Sequence, residues 1–144
     1  MSATTSGAFK ALIESAGLGI AVYRDQAPPN APLPFVVIHE GIGMEPIGGD
    51  FADPDQPVVV RELVQVDVYQ AKKNPASGRV LEDYTLTGSL MTLLRGSLLP
   101  NPPTRSWPLK LRDARRLPVS EPIAGVTSSN IIRTTATVEF LREA

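Results

Sequence analysis

The chain has no cysteine, one histidine and one tryptophan among its 144 residues, and only 6% of them are aromatic. Without cysteine there is no disulfide, no thiol nucleophile and no thiolate ligand for zinc. No apolar stretch approaches the roughly 20 residues needed to cross a bilayer, so no membrane partner is expected. The opening MSATTSGAFKALIESAG lacks the basic start and apolar run of a secretory leader. Charges nearly cancel, with 14 Lys and Arg against 15 Asp and Glu, which argues against nucleic-acid binding by bulk electrostatics. These absences predict a soluble protein made in the cytoplasm.

What is present suits one domain over residues 1–144, because 42% of the chain is hydrophobic and two cores would be a squeeze. Proline is abundant: 14 residues, clustered in APPNAPLP, DPDQP, LLPNPP and LPVSEP. Proline fixes φ and lacks an N–H, so each cluster marks an end of regular structure.

Between the clusters the periodicity is clear. Phe9, Leu12, Ile13 and Ala16 make one face of a helix. Ser6 or a neighbouring Thr can cap its start, and Gly17 can end it with Leu18 folded back on Ile13. Short strands follow at Ile20–Arg24 and Phe35–Glu40. Val58–Gln70 alternates Val58, Val60, Val64, Val66 and Val68, broken by Glu62, against Arg61, Gln65, Asp67 and Tyr69. That pattern fits a sheet covered on one side. At about twice the usual strand length, its first half is expected to project beyond the sheet.

A second helix is expected from about Gly78 to Arg95. Val80, Tyr84, Met91 and Leu94 form its stripe, with Leu81, Leu90 and Leu98 beside it. Gly88 within it implies a close approach to the sheet. Trp107, Leu109 and Leu111 open a further strand, and Ile132–Phe140 makes the last. The order predicts an α+β fold, with two helices packed on one face of a mainly antiparallel sheet.

Residues Gly41–Pro57, GIGMEPIGGDFADPDQP, follow neither period and are expected to form a long extended loop or hairpin arm. Structureless loops of this length in compact domains usually have a function. Gly41 and Gly43 do not make a dinucleotide loop, since Pro46 stands in the third glycine's place and no helix follows. Asp50, Asp53 and Asp55 do not make an EF-hand, because Arg61 occupies the closing position and Pro54 disrupts the turn. His39 could act as a general base with Glu40 or Asp67. A strand histidine packed or hydrogen-bonded beside the sheet explains it better, because no nucleophile or orienting partner has a signature in the sequence. No catalytic residue, metal site or cofactor is therefore assigned.

Charge is unevenly placed. From Asp25 to Val60 there is no Lys or Arg, but there are six acids: Asp25, Glu40, Glu45, Asp50, Asp53 and Asp55. Arg105, Lys110, Arg112, Arg115 and Arg116 form a basic segment, which reads either as a phosphate-binding cluster or as the charged guard of an edge strand. Acidic and basic patches on one chain can meet head-to-tail between copies, and such contacts close into rings when the rotation permits. The expected interface joins an arm carrying Met44, Ile47, Asp50, Phe51, Asp53 and Asp55 to Arg112, Arg115 and Arg116 of a neighbour.

The leading helix, then LPFVVIHE, then a strand ending VQVDVYQ, a turn and a second helix, closing on IIRTTATVEF, resembles the tail-terminator (tail-completion) proteins of long-tailed bacteriophages. The resemblance is one of order, size and texture over most of the chain. It implies a virion protein made in the host cytoplasm and built into the head-proximal end of the tail. It also implies a hexameric ring that caps the tail tube, stops its polymerisation and joins the tail to a head-closure or neck protein. Genomic DNA would pass through the lumen only transiently. The resemblance carries no catalytic motif. The alternatives are another neck or head-closure protein, or a small nucleic-acid-binding domain using Arg105–Arg116 with Trp107 or Tyr69 as stacking surfaces.

Overall fold

The computed structural model describes residues 4–48, 58–72 and 84–143. Thr4 starts the first helix, α1 (Thr5–Ser15): its extended backbone and its Oγ1, 3.0 Å from the Gly7 N–H, satisfy one of the free donors. Gly17, at φ +66°, ends it in the left-handed region, and Leu18 turns back onto the core.

The chain continues through β1 (Ala21–Arg24), β2 (Phe35–Gly48), β3 (Val59–Ala71), α2 (Tyr84–Leu94), β4 (Lys110–Leu117), a 3-10 turn at Ser128–Asn130 and β5 (Ile131–Glu143). One sheet has the order β1-β2-β3-β5-β4. β1 runs parallel to β2, and the other neighbours are antiparallel.

Both helices lie on one face, as the sequence predicts. Val36, Ile38, Val64, Val66, Val68, Ala136, Val138 and Phe140 of the sheet form one core with Ala8, Phe9, Leu12 and Ile13 of α1 and Leu90 and Leu94 of α2. Phe9 and Phe140 meet with ring centroids 5.8 Å apart at 59°, a favourable tilted arrangement. Truncating Phe9 to alanine would cost about 3–5 kcal/mol. Phe35, Val37 and Ala31 make a second, smaller cluster on the opposite face with Tyr69 and Ile123.

Several expectations are refined or corrected. Of the two forms expected for residues 41–57, a loop or a hairpin arm, residues 41–48 take the hairpin: β2 runs to Gly48 against β3, with register shifts between His39 and Gly43 and between Pro46 and Gly48, and residues 49–57 lie outside the described residues. Gly41, at φ +78°, carries the chain through the first shift. A side chain at Gly43 would press on Leu63 at 2.9 Å. The first half of β3, expected to project beyond the sheet together with that segment, lies within the sheet: Val59–Leu63 pairs with β2 on one side and with Glu139–Glu143 on the other.

The second helix is observed at Tyr84–Leu94, within the expected span. α2 is described from Tyr84, and Gly78, Val80 and Leu81 lie outside the described residues. Gly88 does not mark a close approach: a Cβ there would meet nothing within 4 Å. Leu98, expected beside the buried stripe, is 60% exposed. Finally, the strand expected from Trp107 starts at Lys110. Trp107 contributes only its N–H to Leu141 O at 2.9 Å, next to a lone bridge between Ser106 and Arg142.

Candidate functional site

The long halves of β2, β3 and β5 form an arm beyond the helices. Three of the four most exposed large hydrophobic side chains among the described residues sit on β2 there: Ile42 at 45%, Met44 at 56% and Ile47 at 42%. Met44 and Ile47 were expected from the sequence and Ile42 was not, although it shares the same GIGME run. Asp50, Phe51, Asp53 and Asp55 lie outside the described residues. The arm is fixed at its base by Glu62, 3% exposed among valines. Its Oε2 accepts from Arg142 Nε at 2.7 Å and from Thr5 Oγ1 at 3.3 Å. Arg142 also reaches Met44 Sδ at 3.6 Å.

Opposite the helices, the sheet face is polar and charge-paired. Glu45, Arg61, Glu139 and Arg112 alternate in sign across β2, β3, β5 and β4, at 3.2, 3.8 and 3.5 Å. The outer Glu45 and Arg112 are exposed while Glu139 between them is largely buried, so the chain of alternating charges neutralises the face. Further along, Asp67 is completely buried. Arg133 Nη2 donates to its Oδ2 at 2.9 Å, Gln65 Nε2 donates to its Oδ1 at 3.0 Å, and His39 Nε2 lies 3.3 Å from Oδ2. These partners make the burial of a carboxylate tolerable.

His39 therefore pairs with Asp67 and not with Glu40. The Glu40 carboxylate turns to the other face, where its Oε2 accepts from the Ser6 N–H at 2.6 Å at the start of α1. Arg24 donates there to Ser6 Oγ at 2.7 Å and to Thr4 Oγ1 at 2.9 Å.

Beside His39 lies a groove of about 330 Å³, floored by Phe35, Val37 and Tyr69 and walled by residues 25–30 and 122–124. The Tyr69 ring stacks on Phe35 at 4.9 Å, with the Arg133 guanidinium 5.6 Å from its centroid. Burial pushes the Tyr69 hydroxyl above its ordinary value of 10.0; Arg133 opposes the shift and Asp67 adds to it. Nothing in the sequence announced this groove, because its walls are proline-rich loops whose mutual placement has no periodic signature.

The basic segment is the edge strand β4, with Lys110, Arg112, Asp113, Arg115 and Arg116 all exposed. The structure does not gather every expected interface residue into one patch. Met44 and Ile47 lie on β2, while Arg112, Arg115 and Arg116 lie on β4, with β3 and β5 between them. Among the described residues, the acids Glu40 and Glu45 have partners within the chain.

No family model and no curated protein matches the chain. Among solved structures it is similar to a chain in a structure titled "Virion of native gene transfer agent (GTA) particle". The TM-score is 0.61 and the identity 18%, over 97% of this chain and 95% of that one. At that identity the likeness is one of fold. It is end to end.

Proposed function

We propose that the chain is a structural virion protein that assembles into a ring, most economically a hexamer, at the head-proximal end of a phage-like tail. There it caps the tail tube, ends its polymerisation and joins the tail to a head-closure or neck protein. The observation that carries this reading is the end-to-end fold likeness to a chain of a phage-like virion particle, with neither partner leaving a domain over. The exposed apolar arm and the basic edge on opposite sides of the sheet support it, because a head-to-tail contact needs two different patches on one subunit. In a closed ring the neighbour also covers sheet edges that would otherwise invite aggregation.

In this role the groove histidine is a structural member of the Asp67 cluster, and DNA meets the ring only in passage. A charge-paired sheet face suits a protein that does not hold nucleic acid tightly. A nucleic-acid-binding domain would instead bind DNA at submicromolar concentration in a salt-sensitive manner.

The test is incubation with tail-tube protein. Capture of tube ends and arrest of tube growth support the terminator role. Binding only to portal or adaptor protein moves the chain to the head-closure side of the neck.

A further inference from the structure

We infer that the groove beside His39 receives Arg115 from the basic edge strand β4 of a second copy, with Asp25 on the groove wall as its partner. This names the contact within the ring reading and rests on it. Both groups lie at one height on the sheet. Tyr23, Val37, Asp67, Thr135 and Arg115 stand abreast on β1, β2, β3, β5 and β4, a single row from edge to edge. Residues abreast in a sheet share a face, and Val37 lines the groove, so Arg115 lies on the groove's side. Asp25 follows β1 directly, with its N–H held by Ile38 O at 2.9 Å. Four strand spacings separate Arg115 from Tyr23, about 19 Å, well beyond the reach of one side chain. Arg115 therefore cannot enter the groove of its own chain.

Charge and availability select the occupant. The groove is lined by Asp25 and, among the described residues, by no Lys or Arg. Glu121, exposed beside the lining residue Pro122, adds a carboxylate at the other wall. Neither acid has an ion-pair partner among the described residues. Arg133 lies against Tyr69, but its charge is met by Asp67 at 2.9 Å. Arg115 is exposed, and it too has no ion-pair partner among the described residues. Of its neighbours on β4, Arg112 is held by Glu139, and Arg116 pairs with Thr134 on the face toward the helices. A carboxylate and a guanidinium at opposite ends of one sheet can satisfy each other only between molecules. Because they share a row, rotation about an axis along the strands brings them together with no rise from copy to copy. That is the condition for a ring and not a filament.

The experiment is a double-mutant cycle on assembly of the full chain, read by analytical ultracentrifugation. Asp25 sits at φ +69°, which asparagine also tolerates, and Arg115 is exposed, so Asp25→Asn and Arg115→Gln should both leave the fold intact. Each change alone should raise the midpoint concentration for assembly about tenfold. If the two side chains meet, the double variant is also weakened about tenfold. A double variant weakened about a hundredfold, the additive result, overturns the inference while leaving the ring intact, as does an oligomer indifferent to either change. If the wild-type chain stays monomeric at every concentration, the ring reading fails separately. A synthetic peptide of residues 109–117 (LKLRDARRL) titrated into that monomer then decides the groove. Amide shifts at Val37, His39 and Tyr69, lost with an Arg115→Gln peptide, support it; no such shifts at millimolar peptide overturn it.

Discussion

Arg142 and Glu62 meet across β5 and β3 with Nε 2.7 Å from Oε2, at the edge of an apolar core that includes Val64 and Phe140. The pair stands where α1 starts and the arm begins, with Thr5, the first residue of the helix, on the same carboxylate. Removing one partner leaves a charge in an apolar setting. Arg142→Ala should therefore cost about 3 kcal/mol, whereas Glu62→Leu combined with Arg142→Met should recover most of the loss. Urea unfolding checks this through a shift in midpoint at constant slope.

Gly88 offers the opposite sign. It lies within α2, and a Cβ there meets open space. Gly88→Ala should stabilise the fold by up to about 1 kcal/mol, read as a higher urea midpoint. If the variant folds well but no longer caps tubes, that helix face is covered in the assembly.

Tyr69 sets a pH dependence. Burial raises its folded pKa above 10.0, so as pH climbs past 10 the unfolded chain loses the phenolic proton while the folded chain keeps it. Fewer protons on the unfolded state mean that stability falls with rising pH until the folded hydroxyl titrates too. Unfolding midpoints measured from pH 9 upward should decline, and Tyr69→Phe should remove that part of the decline.

The basic edge predicts a separation of folding from assembly. Arg112 is itself exposed and has one ion-pair partner, the largely buried Glu139, at 3.5 Å, so with solvent screening the Arg112 side, Arg112→Glu with Arg115→Glu should cost about 1 kcal/mol of stability. The same change should abolish the oligomer, and raising salt should weaken the wild-type oligomer because exposed charges are screened. Analytical ultracentrifugation of both proteins across ionic strength decides it.

The sequence exposed the parts of this fold that have one buried face. Val64, Val66 and Val68, and Ala136, Val138 and Phe140, alternate because only their side of the sheet meets the helices. The outer half of β2 was hidden for the same reason. Ile42, Met44 and Ile47 are all exposed, so no burial period exists there to be read, and the Gly41 bulge interrupts what alternation remains. Asp67 was visible as a polar-face residue. Its complete burial depends on His39 and Arg133 arriving from other strands, which local pattern does not encode. Of the expected interface, the β4 arginines were legible as an edge because charge without an apolar face suits little else.

The account stands or falls most directly on electron microscopy of the purified protein, alone and added to tail tubes. It predicts a closed ring of the tube's diameter seated on one tube end, with the arms spanning adjacent subunits. Particles that stay monomeric at high concentration and leave tube ends bare would contradict it.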